Sequence, residues 1–160
     1  EVTRNNRLLA QTKRLIQMIA RVKGVLATGH IGFDESRLVA AYARSLGVPV
    51  IITHPIYQHI AMPITVQKEL ALLGCYLEQS YSMFSMDGLP ITKIATQIKR
   101  VGPESIILSS DVGQPFSPDP SQALEIFAKL LVTEGIPLQW IKIMMVENPR
   151  KILKITKETT

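Results

Sequence analysis

The sequence has little of what defines secreted or membrane proteins. It contains one cysteine, Cys75, in 160 residues, and none of its apolar runs approaches the ~20 residues that a membrane-spanning helix needs. A single cysteine excludes a disulfide framework and suits a reducing compartment, so we expect a cytoplasmic protein that does not associate with membranes. The polar opening EVTRNNR is not a signal peptide, and it lacks an initiator Met, so we expect a processed or partial product.

Charged residues are also scarce, at 19% of the sequence, whereas apolar residues make up 46%. This balance indicates one globular domain over residues 1–160. The net charge of +5 is compatible with nucleic-acid binding. However, the basic residues are spread mainly over predicted helices, and no basic motif is interleaved with aromatic residues as in RNA-binding domains. We therefore interpret the positive charges as solvated helix faces, and nucleic acid is not an expected partner.

Four short apolar runs, each followed by a helical pattern, organise the chain. The runs predict strands at 25–28, 48–53, 75–77 and 105–110. Predicted helices cover 3–22, from about 34 to 46, 65–73, 92–101, 121–133 and 137–146, with a last one from Asn148. Such alternation predicts an α/β fold with parallel strands. Four βα units are half of a (β/α)8 barrel of the TIM type, which takes ~200–250 residues to close.

A side chain able to bind a metal or to titrate follows each predicted strand: His30, His54, Glu78 and Asp111. Because loops after parallel strands share one end of the sheet, we expect these four side chains to converge. Imidazole and carboxylate suit zinc, manganese, iron or nickel, and such a metal would turn a bound water into a nucleophile. Each residue also has an ordinary interpretation: a hydrogen-bonded loop histidine, a solvated glutamate, or an aspartate that caps a turn.

Other residues that could carry chemistry are better explained by structure. We expect Cys75 to be a small buried apolar residue and His59 to be a solvated loop residue. Met83, Phe84 and Met86 are expected in a loop, where they pack or form a flexible wall.

These residues give the chain a resemblance to the amidohydrolase superfamily of metal-dependent hydrolases, and within it to an uncharacterised TIM-barrel branch. The matching segments are TGHIGFDE (28–35), VIITHP (50–55), LGCYLEQSY (73–81), SSDVGQP (109–115) and MVENPRKIL (145–153). The resemblance covers the C-terminal half of the barrel and implies that His30, His54 and Asp111 bind a divalent metal, zinc first. It also implies that Asp111 is the general base and that Glu78 orients water or substrate. The HxH pair of the superfamily's first strand has no counterpart here.

Two hypotheses about function follow. In the first, the chain is a hydrolase that cleaves an amide, ester or lactone-like bond of a small molecule, complete only with a second copy or a missing N-terminal half. In the second, it is a half-barrel scaffold or assembly domain without metal, since the bare edges of a half-barrel sheet invite self-association.

Overall fold

A computed structural model describes residues 1–154 of the chain, which divides into two compact units, Glu1–Leu77 and Glu78–Thr160. The first unit holds β1 (Thr3–Arg4), β2 (Arg7–Leu8), α1 (Ala10–Arg21), β3 (Leu26–Ala27), α2 (Phe33–Ser45), β4 (Val50–Ile52) and α3 (Ile64–Leu72). Strand β5 (Tyr76–Ser80) straddles the boundary. The second unit continues with α4 (Tyr81–Ser85), α5 (Ile91–Val101), β6 (Ile106–Ser109), α6 (Pro120–Thr133), α7 (Leu138–Lys142) and α8 (Asn148–Ile152).

The predicted α/β class is confirmed: β3, β4, β5 and β6 form a four-stranded parallel sheet in that order, flanked by helices. Within the first unit, Leu26 pairs with Val50 and Ile52 pairs with Leu77, and all four side chains are buried. Because side chains alternate along a strand, this row marks the covered face of the sheet.

The other face of the first unit's sheet is more open. Ala27 pairs with Ile51, which pairs with Tyr76. Ala27 is exposed, and the other two side chains are half-buried.

The prediction of a helix from residue 3 was wrong. Residues 3–8 form a hairpin, in which Thr3 pairs with Leu8 across a turn at Asn5 and Asn6. Both asparagines have left-handed backbones, with φ of 50° and 57°. Two consecutive positive φ angles are typical of the tight type I′ turn, and asparagine adopts them at low cost. The helix therefore begins only at Ala10.

Helices α2 and α3 follow a glycine and a proline rather than a polar capping residue. Gly32 precedes α2 and accepts the hydrogen bond from Ser36 N, which places Asp34 and Ser36 inside the helix. Pro63 precedes α3 in the same way and accepts from Gln67 N, so Thr65 is a helical residue as well. Neither helix has a side-chain N-cap.

In the second unit, the segment around Met83 and Phe84 differs from its prediction as a loop. It is helical, as α4, and Met83 is buried, whereas Met86 lies beyond the helix. The ring of Tyr81 contacts those of Phe84 and Phe127 at centroid distances of 6.0 and 6.2 Å. These aromatic residues pack the interior between α4 and α6.

The last two predicted helices are one continuous helical stretch. A π-helical turn, Ile143–Glu147, joins α7 to α8. Pro149, which has no N–H to donate, follows that turn by two residues. The buried Asn148 side chain donates to the Pro103 and Ile106 carbonyls, each at 2.7 Å, and so fastens this helix to the start of β6. Among residues 1–154, no helix is both long and apolar enough to cross a membrane.

Candidate active site

The loops after three of the four sheet strands begin with the same backbone bend. The second residue after β3 is Gly29, after β4 it is His54, and after β6 it is Asp111. Their φ angles are +63°, +45° and +49°, all in the left-handed region. For a residue with a Cβ atom this conformation costs roughly 1–2 kcal/mol, and such strain is concentrated at functional sites. Two of the three predicted metal ligands, His54 and Asp111, therefore stand on strained backbone.

In the first unit, two threonine hydroxyls join the ends of β3 and β4. Thr53 N donates to Thr28 Oγ1 at 3.0 Å, and Gly29 N donates to Thr53 Oγ1 at 3.2 Å. Thr28 N also donates to the Ile51 carbonyl at 3.0 Å, so Thr28 continues the backbone ladder past the last paired residues. These bonds hold the loops that carry His30 and His54 side by side.

His30 and His54, on these two neighbouring loops, form a pair of contacting rings, which we call the histidine pair. The rings of His30 and His54 are stacked, with centroids 5.3 Å apart and planes inclined by 29°. His54 is buried at 7% exposure, whereas His30 is open to solvent. The structure thus brings these two predicted ligands into ring contact, and imidazole is a ligand type that zinc, copper, iron and nickel accept.

Tyr57 and His59 extend this histidine pair. The Tyr57 ring lies 5.7 Å from that of His30 and 5.1 Å, edge-on, from that of His59. Tyr57 is placed by the turn after β4, where its N–H donates to the His54 carbonyl at 2.9 Å. His59 is exposed, as predicted, but its contact with Tyr57 places all three histidines of the chain in one chain of ring contacts.

In the second unit, Asp111 is held by a serine that the sequence analysis did not single out. Ser82 Oγ donates to Asp111 Oδ2 at 2.7 Å, and Ser82 N donates to the Ser110 carbonyl at 3.1 Å. The hydroxyls of Ser80 and Ser82 are 2.9 Å apart, and both residues are buried. The exposed Asp111 carboxylate is thus linked by hydrogen bonds to the buried hydroxyls of Ser82 and Ser80. The signal in the sequence was the Ser-x-Ser spacing at the real end of β5.

Glu78 does not end its strand as predicted, because β5 continues for two residues to Ser80. It is half-buried and lies on the same face of β5 as Ser80, given the alternation of side chains. The convergence of His30, His54, Glu78 and Asp111 stays a prediction. Within residues 1–154, no three or more His, Cys, Asp or Glu side chains form a group arranged to hold a metal ion. The histidine pair by itself offers two ligands of the three that a catalytic zinc takes from protein.

Cys75 behaves as the sequence predicted. It is 1% exposed, and burial raises the pKa of its thiol to about 11, against the opposing effect of the Arg44 charge. A thiol with such a pKa is protonated at neutral pH and is a poor nucleophile or metal ligand.

Comparison with known protein families identifies a similarity in the N-terminal half of the chain. A family of unknown function, DUF6282, matches residues 1–78, which coincide within one residue with the first compact unit. The chain is thus similar to this family over the hairpin, the first two strands of the parallel sheet and the histidine pair. No curated protein and no solved structure matches the chain.

Proposed function

We propose that the chain is part of a metal-dependent hydrolase of the amidohydrolase type, built on βα units of the TIM-barrel kind, in which His30 and His54 bind a divalent cation. The observation that carries this proposal is the stacked histidine pair at the ends of two adjacent parallel strands. His54 stands on a backbone conformation that costs free energy, and threonine hydroxyls fix the loops on both sides. Backbone strain of this kind is concentrated at functional sites, and it supports a role for the loop that carries His54.

The donor chemistry of the pair fits zinc, manganese, iron or nickel, which all accept imidazole nitrogen. Such a cation, when bound, lowers the pKa of a coordinated water towards neutrality. Asp111 and Glu78, in the second unit, keep the roles that the resemblance gives them: Asp111 accepts a proton, and Glu78 orients water or substrate. Within the second unit, Ser82 fixes the orientation of the Asp111 carboxylate. The substrate class follows from the chemistry: an amide, ester or lactone-like bond.

Metal analysis of the purified chain tests the proposal. We expect the protein to bind about one equivalent of zinc in calorimetric titration, and His30→Ala and His54→Asn to lose this binding. Asparagine is chosen at position 54 because it tolerates the left-handed backbone. His59→Ala is the matched control, since this third histidine is exposed and does not follow a strand. Zinc bound equally by all four proteins would refute the role of the pair.

Turnover is the second measurement. Zinc- or manganese-loaded protein is assayed against chromogenic esters, lactones and anilides, and Asp111→Asn is expected to abolish hydrolysis while the circular dichroism spectrum is kept. Metal binding without hydrolysis on any of these would keep the metal site and would show that this chain by itself is not a hydrolase of these bonds.

A second candidate is a scaffold or assembly domain. It is favoured by the open face of the first unit's sheet, the row formed by Ala27, Ile51 and Tyr76, because parallel sheets are normally covered on both faces. Under this candidate the purified chain binds no metal, and Ala27→Asp weakens an association measured by sedimentation.

A further inference from the structure

The excess of basic over acidic residues lies at one end of the sequence, which the overall composition does not show. Residues 1–24 contain six of the 18 basic residues and one of the 13 acidic residues, an excess of five. The remaining residues contain 12 of each, so the N-terminal segment accounts for the whole net charge of +5. Most of this segment is the β1–β2 hairpin and α1.

Helix α1 turns one apolar stripe to solvent. Ile16 is its buried residue and faces the interior of the unit, whereas Leu15, Met18 and Val22 are 58%, 60% and 77% exposed. Val22 still belongs to the helical turn, since its N–H donates to the Met18 carbonyl at 3.1 Å. Single exposed apolar side chains are ordinary on a surface, but three on one stripe are not.

The spacing of the stripe is that of a coiled-coil seam. With Leu15 at position a, Met18 falls at d and Val22 at the next a. The residues at the two g positions beside the seam are Arg14 and Arg21, and both are exposed. The g positions of a coiled coil select the partner by charge.

Another side of α1 is already engaged within the unit. Gln17 Nε2 donates to the Tyr42 hydroxyl at 2.9 Å, and the Lys13 ammonium lies 5.7 Å from the centroid of the Tyr42 ring. The arginines of the seam are therefore the cations of α1 that stand beside exposed apolar surface.

We propose that this seam of α1 (Arg14, Leu15, Met18, Arg21 and Val22) docks an amphipathic helix whose own apolar seam is flanked by Asp or Glu. We choose an acidic partner because Arg14 and Arg21 beside the seam would pair with its carboxylates. In an antiparallel pair with a second copy, arginine would lie against arginine at the g positions, and in a parallel pair Arg14 would lie against Ile19 at position e. A second copy therefore offers neither arginine an acidic partner. A membrane surface is disfavoured because the exposed stripe is narrow, about 10 Å long and one or two side chains wide, whereas interfacial helices present a broad apolar face.

The test uses a labelled three-heptad helical peptide with Leu at a and d and Glu at e and g, which repels itself and stays monomeric. We expect binding in fluorescence anisotropy that weakens with added salt, and no binding of the same peptide with Lys at e and g. Leu15→Ser/Met18→Ser should weaken binding of the Glu peptide at least about tenfold. Arg14→Glu/Arg21→Glu should weaken it similarly and create affinity for the Lys peptide.

Leu72→Ser is the matched control, since Leu72 is 90% exposed but lies on α3, and it should change nothing. All of these residues are exposed, so loss of folding does not confound the result, and circular dichroism verifies this. Equal binding of the Glu and Lys peptides, unchanged binding by the charge-reversed variant, or binding only to anionic phosphatidylserine vesicles would overturn the proposal. Self-association of the wild type that is abolished by Leu15→Ser/Met18→Ser would overturn it as well.

Discussion

Ser82 Oγ donates a 2.7 Å hydrogen bond to Asp111 Oδ2, joining the first turn of α4 to the loop after β6. Hydrogen bonds to a charged acceptor are about twice as strong as those between neutral groups. Ser82 is buried at 2% exposure, and the positive φ of Asp111 aims the carboxylate from a strained backbone. The hydrogen bond and the backbone conformation both restrict the orientation of the Asp111 carboxylate, which supports the general-base role that we propose for it.

A double-mutant cycle measures this contact. Ser82→Ala, Asp111→Ala and the double variant are unfolded in urea, and we expect a coupling free energy of about 0.5–1.5 kcal/mol between the two sites. The strain of alanine at a positive φ occurs in both Asp111 variants and cancels. Strictly additive changes in the free energy of unfolding would show that the hydrogen bond does not persist in solution.

The threonine bonds between β3 and β4 give a second prediction. Thr53→Val removes the oxygen that accepts from Gly29 N, so the free energy of unfolding should fall by about 1–2 kcal/mol, and the Gly29 amide should exchange faster with deuterium. Thr96→Val is the control, since the exposed Thr96 hydroxyl bonds to the Thr92 carbonyl of its own helix. The free energy of unfolding of the Thr96→Val control should stay within about 0.5 kcal/mol of the wild-type value. Unchanged Gly29 exchange would contradict the role of the threonines.

The class of fold and the histidine pair could be predicted because they depend on local patterns. Uninterrupted apolar runs followed by helical periodicity identified the four parallel strands, and a polar residue directly after a strand must leave the sheet at its C-terminal end. His30 and His54 follow adjacent strands, so their proximity needed only the rule that successive parallel strands are neighbours.

The supporting residues could not be predicted in this way. Their hydrogen bonds join residues that are 24 to 29 positions apart in the sequence, as for Thr28, Thr53 and Ser82. No periodicity of the sequence encodes such pairs. The hairpin before α1 was missed for a different reason. Its two strands have only two residues each, so the turn preference of Asn5-Asn6 was the only signal and the amphipathic pattern of α1 obscured it.

Burial of Cys75 predicts a loss of stability in alkaline solution. Its thiol has a pKa of about 11 in the folded protein, against 9.0 as the ordinary value, so the unfolded chain releases this proton first. The protonated Cys75 thiol therefore stabilises the folded protein fully below pH 9. This stabilisation is lost between pH 9 and about 11, at about 1.4 kcal/mol per pH unit. Other groups also titrate there, so the measurement is the difference between wild type and Cys75→Ala in urea unfolding at pH 8 and pH 10.5. A difference that does not change with pH would show that the thiol is accessible to water.

Replacing two buried side-chain amides of the second unit should change the free energy of unfolding in opposite directions. Asn148 Nδ2 donates to two carbonyls, although its Oδ1 accepts no hydrogen bond among residues 1–154. Neither polar atom of the Gln79 amide, at 0% exposure, has a hydrogen-bond partner among the same residues. Removing a hydrogen-bonded amide leaves its carbonyl partners unpaired, while replacing an unpaired amide by an apolar group removes a desolvation cost. Asn148→Leu should therefore lower the free energy of unfolding by about 2–4 kcal/mol, and Gln79→Leu should raise it by about 1–3 kcal/mol.

The two substitutions are each other's control, because both place leucine at a fully buried position of the same unit and are compared in the same urea titration. If Gln79→Leu destabilises the protein as much as Asn148→Leu does, the Gln79 amide has a partner in solution, and a bound water would be sought beside β5.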